Sequence, residues 1–289
     1  MLEMLLSPKK AEREPWEMFF IGVFYASLSF LLVNWIFGQD AVLVKYSGMI
    51  IVTFTVMFCI PFVYGVLKRE EEKDMEYSGA FRILKEHSHA LYVFLWLFMG
   101  VIVAFSFLYI VFSIYGDSSQ SFRAQIETYC IINRPANFND CVAEYGVKGV
   151  SRTTAFLTAK EKLFMIFANN IYVLIFTLVF SLIFGAGGFF VLAWNASVIA
   201  AAIGIFTRSN LASLPMGIAR YMIHGIPEIA AYFIGMLAGG IISIAIIKHD
   251  TRSEYFWNIL QDALNLIIVA VVILFLAALI EVFITPVLF

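Results

Sequence analysis

The sequence predicts an all-α fold, a polytopic transmembrane helical bundle of about seven spans with a short interfacial or re-entrant helix before the sixth. Two observations carry this. The 289 residues are 62% hydrophobic and only 14% charged, with a mean hydropathy of +0.88, whereas a soluble domain is about half apolar and a quarter charged. The apolar residues also fall in uncharged runs long enough for the roughly 20 residues that cross a 30 Å hydrocarbon layer. Thirty phenylalanines and an aromatic share of 17% suit side chains facing acyl chains.

Met18–Phe37 is the first span, with Trp16 and Trp35 near its ends, where amphipathic rings favour the interface. Its length, and the lack of a small-residue cleavage site, distinguish it from a removable signal peptide. Met49–Leu67 is the second span, with Pro61 expected to kink it, and Ala90–Ile114 is the third. Leu163–Thr207 carries no charge and is long enough for two crossings; the break falls at Gly185, Gly187 and Gly188, whose backbones tolerate a tight turn. Leu211–Ile226, with Leu211, Leu214, Ile218 and Met222 at helical spacing, is too short and polar to cross, and reads as the interfacial or re-entrant helix. Pro227 suits the first turn of the sixth span, Ile229–Ile247. The seventh runs from Ala263 to about Phe283, with Asn265 near its start.

Three regions follow: a three-span region, residues 1–114, with a cytoplasmic loop at 68–89; an extracytoplasmic loop, 115–162; and a membrane domain, 163–289. Lys9, Lys10 and Arg13, with Lys68, Arg69, Lys73, Arg82 and Lys85, place the N-terminus in the cytoplasm of a cell-membrane protein, and seven spans put the C-terminus outside. The six basic residues of Tyr115–Lys162, with Arg208 and Arg220, run against that assignment. The charges of Lys68–His89 read as a solvated helical hairpin. An extracytoplasmic site permits a disulfide between Cys130 and Cys141, while mid-span Cys59 reads as a small hydrophobe.

Polar groups inside spans are costly and are therefore candidate functional residues. Asn169, Asn170, Asn195, His224, Glu228 and Glu281 form that set. Each has a structural alternative: the asparagines as inter-helix hydrogen bonds, Glu228 as a carboxylate at a helix N-terminus, Glu281 as a side chain reaching headgroups. Gly235 and Gly239 form a small-xxx-small pair that packs helices closely. That pair, with the base rate of symmetric association, favours a homo-oligomer, a dimer foremost. His224 and Glu228 do not match the His-Glu-x-x-His zinc helix, and Pro227 interrupts the register between them. His87 and His89 do not face one another on a helix. No metal, cofactor or catalytic set is predicted, and a net charge of −2 gives no nucleic-acid stripe.

The order of these blocks, Phe167-Ala168-Asn169-Asn170-Ile171, Asn195, His224-Gly225-Ile226-Pro227-Glu228, Gly235/Gly239 and Ala278-Leu279-Ile280-Glu281, resembles the stage II sporulation protein M family, in the form found in archaea as well as bacteria. The resemblance covers roughly residues 160–289; the first half carries no matching motif. It implies a non-enzymatic scaffold holding a membrane complex, with Asn170, His224, Glu228 and Glu281 in one unit. Membrane lipid and protein partners at loops 68–89 and 115–162 accompany that expectation. Two alternatives stand beside it: an ion or small-solute transporter or channel using Glu228 and Glu281, and an intramembrane hydrolase using His224 and a carboxylate.

Overall fold

A computed structural model describes residues 8–40, 42–73, 85, 87–115, 121–133, 137–145, 159–207, 212, 214–248 and 252–288. Every regular element among them is helical: α1 (Pro8–Arg13), α2 (Glu17–Phe37), a 3₁₀ turn (Leu43–Tyr46), α3 (Ser47–Lys73), α4 (Ser88–Tyr115), α5 (Arg123–Asn133), α6 (Phe138–Glu144), α7 (Ala159–Phe184), α8 (Gly188–Thr207), α9 (Leu214–Lys248) and α10 (Glu254–Leu279). A π-helical turn, Ile280–Ile284, carries α10 into a last turn, α11 (Thr285–Leu288). Seven helices are long and apolar enough to cross a membrane, as the sequence predicts.

The spans alternate in direction between a proximal end, where α2 begins, and a distal end. Near the proximal end Gly22 of α2 and Gly100 of α4 lie against each other's backbones, and a side chain on either would strike the neighbour's carbonyl. Phe30 and Phe112 meet toward the distal end of the same pair, 4.8 Å between ring centres, so α2 and α4 run parallel. α8 and α9 occupy the middle: α9 packs against α3, α4, α7, α8 and α10. α7 and α10 are the most exposed spans. Their outward Phe164, Tyr172, Phe176, Ile268, Val272 and Phe275 present the apolar surface that lipid solvates.

The turn between α7 and α8 forms at the predicted glycines. Gly185 adopts φ +62°, a left-handed conformation that favours glycine, and Gly188 opens α8. Cys130 and Cys141 are joined by a disulfide, which ties α5 to α6.

Two expectations are corrected. Leu214–Lys248 is a single helix that passes through Pro227, so no separate helix precedes the sixth span; Leu211 lies outside the described residues. Proline removes one backbone donor, but surrounding helices and local adjustment accommodate the freed carbonyl in a membrane bundle. Pro61 lies inside α3, within the second span where the sequence places it. The element that enters the bundle is α5 instead: Phe122, just before it, stacks on Phe30, 5.7 Å between ring centres, and Ile126 and Cys130 are fully buried.

The charged run after the second span is not simply solvated. α3 continues to Lys73, and Glu70 and Glu71 in its last turns are fully buried. Three consecutive residues there reach three different elements, because successive helical side chains point about 100° apart. Arg69 grips Glu12 of α1 with Nε and Nη2, at 3.0 and 3.3 Å. Glu70 meets His87, just before α4, at 2.6 Å. Glu71 accepts from Lys248 at the end of α9 at 2.7 Å. Residues 74–84 and 86 of that predicted hairpin lie outside the described residues.

Candidate functional site

The candidate residues are brought together by α7, α9 and the π-helical turn. Because α9 is continuous through Pro227, His224, Glu228 and Tyr232 fall four residues apart on one face, and Gly235 and Gly239 extend the same stripe. The stripe faces α7. Leu174 fills the notch at Gly235, and a methyl group at Gly239 would lie 2.6 Å from the Leu178 carbonyl oxygen. Gly235 and Gly239 therefore join α9 to a helix of the same chain, and that face no longer argues for a dimer. The register 174 to 235 and 178 to 239 means that α7 and α9 run parallel. One turn earlier, Asn170 then lies at the level of Ala231.

Within this group the Tyr232 hydroxyl donates to Glu228 Oε1 at 2.7 Å, with Tyr232 almost wholly buried. The Thr285 hydroxyl, at the end of the π-helical turn, donates to the Ile280 carbonyl at 3.2 Å. It lies 3.4 Å from His224 Nδ1, so the tautomer that fits carries its proton on Nδ1 and donates to Thr285 Oγ1. Glu281, in the same turn, lies within electrostatic reach of Glu228, and Lys162, from the first turn of α7, acts on both Glu281 and His224. Ionisable groups from α7, α9 and the π-helical turn thus come within electrostatic reach of one another. A π-helical turn there is in keeping with the frequency of such turns at functional sites.

Asn170 is buried, its Oδ1 3.5 Å from Asn169 Nδ2, and its own Nδ2 has no hydrogen-bond partner. Asn195 stands apart on α8 and donates to the Val191 carbonyl of its own helix at 2.8 Å. Of the six predicted residues, His224 and Glu228 share a face of α9 and Glu281 lies within electrostatic reach of Glu228; Asn170 lies one turn away with the exposed Asn169 beside it, and Asn195 does not take part.

Several residues escape the sequence reading. Lys162, Tyr232 and Thr285 join the group; the four-residue spacings 228 to 232 and 281 to 285 are the signals that could have found them. Asp262 is buried in α10, one residue outside the predicted start of the last span. Glu70, Glu71, His87 and Lys248 carry ion pairs that a charge-run description conceals.

The two polar layers are far apart. Glu228 and Lys248 are separated by about 30 Å along α9, at 1.5 Å per residue, and Asp262 and Glu281 by a similar length of helix. That is the thickness of a hydrocarbon core, and no carboxylate or cation lies between the layers on any described span. Glu228 and Glu281 therefore sit at the distal boundary of the apolar layer rather than at its centre. Among the described residues no group of three or more His, Cys, Asp or Glu could hold a metal ion.

No curated protein and no solved structure matches the chain. The family profile described as stage II sporulation protein M matches residues 73–286. This extends well beyond the expected 160–289: α4 and the disulfide-bonded α5 and α6 lie within the match, and only α1, α2 and nearly all of α3 precede it. Spanning most of the chain and every residue of the distal polar group, the match establishes the chain as a member of the stage II sporulation protein M family.

Proposed function

We propose that this membrane protein is a non-enzymatic component that organises a membrane-bound assembly in the cell membrane. The observation that carries this is the separation of its ionisable groups into two layers, with no charged side chain between them on any described span. A proton or ion pathway needs intermediate polar stations at membrane depth; here each layer instead ties helices together. His224 pairs with Thr285 and Glu228 with Tyr232, so neither is aligned on the other as an acid–base pair.

The N-terminus is cytoplasmic and the C-terminus outside. Lys9, Lys10, Arg13, Lys68, Arg69, Lys73, Lys85, Lys248 and Arg252 belong to the proximal end, which the positive-inside rule assigns to the cytoplasm. The Cys130–Cys141 bond at the distal side suits an oxidising compartment. Partners then bind at 68–89 on the inside or at the disulfide-bonded pair α5–α6 on the outside, and association of two copies is a further arrangement to test.

Transport is the alternative, favoured by one observation, the convergence of Glu228, Glu281 and Lys162 from three helices. Reconstitution into liposomes separates the two. The scaffold predicts no proton or monovalent-cation flux above empty vesicles, together with migration as a larger complex in native gels of source membranes. Flux abolished by Glu228→Gln or Glu281→Gln would replace the scaffold with a transporter.

A further inference from the structure

α7 is the least buried of the seven spans, and its inner face is taken by α9 through Leu174 and Leu178. On its outer face Met165, Asn169, Tyr172, Phe176, Val179 and Ile183 are all exposed, the five besides Asn169 between 40% and 73%. Their spacing alternates four and three residues without a break. That is the seam by which two helices interdigitate along their length, with Asn169, Phe176 and Ile183 at one of its two core positions.

Two members of the seam are polar where lipid offers no partner. Glu228, at the distal boundary of the apolar layer, is level with Phe167 by the register of 174 on 235, so Asn169 and Tyr172 project from inside that layer. Asn34 and Asn195 donate to the carbonyl four residues back in their own helices at 2.8 Å, and the exposed Thr53 does so at 2.9 Å. Asn169 does not. Among the described residues its amide reaches only Asn170 Oδ1, at 3.5 Å, outside the roughly 2.7–3.2 Å of an N–H···O bond.

A primary amide carries donor and acceptor together and is therefore complementary to itself. Copies of one membrane protein share one insertion orientation. The two-fold axis relating two of them then lies along the membrane normal, and their α7 helices pair in parallel. Each residue of the seam meets its own counterpart at the same depth. An unrelated partner would need its own polar group at that level; a second copy supplies it by symmetry.

We propose that the outer face of α7 is the contact between two copies of this chain, with their Asn169 amides hydrogen-bonded to each other across the axis. The pairing withdraws Asn169 from lipid and covers Phe176, Val179 and Ile183 in apolar contact. An asparagine at such a position fixes both register and copy number. The proposal names the surface for a two-copy arrangement and stands apart from the scaffold reading, since a transporter dimerises through the same face equally well.

Single-cysteine cross-linking of the full chain in native membranes tests the face, in a Cys59→Ala background that keeps the Cys130–Cys141 bond. Val179→Cys is expected to form a disulfide-linked two-chain band on mild oxidation. Val272→Cys, on the lipid face of α10 and 54% exposed, is expected to give none. Single-molecule photobleaching in liposomes tests the amide: two steps for the wild type, a dimer about tenfold weaker for Asn169→Leu, and recovery with Asn169→Gln. An unchanged helical circular-dichroism spectrum checks that Asn169→Leu keeps its fold; if it does not, the cysteine pair alone decides. Bleaching of the wild type in one step, or in three or more, overturns the proposal. So does the lack of a band at Val179→Cys, or a band at Val272→Cys of equal strength. A dimer undiminished in Asn169→Leu would leave that amide reaching headgroups and overturn it equally. None of these results alters the flux and native-gel outcomes that decide the scaffold reading.

Discussion

Substituting alanine at two glycines of α9 separates helix propensity from packing within one element. At Gly225 the nearest atom to an added methyl group is Met222 Cε, 3.6 Å away, an ordinary contact with the end of a flexible side chain. Gly225 lies within a continuous helix and has no positive φ. Alanine there gains helix propensity, about 0.5–1 kcal/mol, with no opposing clash. At Gly239 the same methyl group lies 2.6 Å from the Leu178 carbonyl oxygen and 2.8 Å from Ser181 Cβ. Backbone of α7 cannot yield without moving the helix, and overpacking of that kind costs about 1–3 kcal/mol. The clash outweighs the propensity gain, so Gly239→Ala is net destabilising by about 1–2 kcal/mol. Thermal unfolding in detergent, followed by tryptophan fluorescence, should raise the midpoint for Gly225→Ala by about 1–3 °C and lower it by several degrees for Gly239→Ala. A fall for Gly225→Ala as large as that for Gly239→Ala would refute the continuity of α9, since only a break at Gly225–Pro227 would need glycine there.

Four further outcomes are expected. Tyr232→Phe removes the donor to Glu228 within α9 and should cost about 0.5–1.5 kcal/mol, the net worth of one buried hydrogen bond, read as a lower unfolding midpoint; no change would mean that Glu228 finds another partner. Glu71→Gln and Lys248→Met in a double-mutant cycle should show a favourable coupling of about 1–3 kcal/mol, below the value for a wholly buried pair because Lys248 is 30% exposed; additive effects would remove the pair from the account of the proximal end. Reduction of Cys130–Cys141, which closes a loop of 11 residues, should lower stability by up to about 3 kcal/mol, measured with and without reductant against the double serine variant. Asp40 is held below the usual carboxylate range by the backbone N–H groups of Leu43 and then Val42, which donate to its Oδ1 at 2.9 and 2.8 Å. Its contribution is complete at neutral pH and is lost as pH falls through the lowered value. Acid unfolding of Asp40→Asn should therefore lack one component of the wild-type pH dependence, and identical acid profiles would count against the cap.

The seven spans are legible because the uncharged runs match the hydrocarbon thickness, and the α7–α8 turn because three glycines cluster where the run must reverse. The ends of spans are less legible. Glu70 and Glu71 look solvated in sequence because their partners, His87 and Lys248, come from elsewhere in the chain. Pro227 looks like a boundary because an isolated helix would break there, whereas α9 is enclosed by neighbours that tolerate one lost hydrogen bond. α5 is short and mixed in polarity, so nothing local marks it as an element that enters the bundle; its burial depends on Phe30, Gly48 and Ser197, all distant in sequence. In the distal group, His224, Glu228 and Glu281 stand out as costly residues in apolar surroundings, while Tyr232 and Thr285 blend with their neighbours.

The last turns of α3 have a consequence for how the chain is made. Arg69 finds Glu12 57 residues behind it, Glu70 waits for His87 17 residues ahead, and Glu71 is not matched with Lys248 until 177 residues further have been synthesised. The Glu71–Lys248 contact therefore cannot form until α9, the sixth span, has been made. A chain cut short before α9 lacks that contact, so the tie between the ends of α3 and α9 at the proximal face is among the last that synthesis permits.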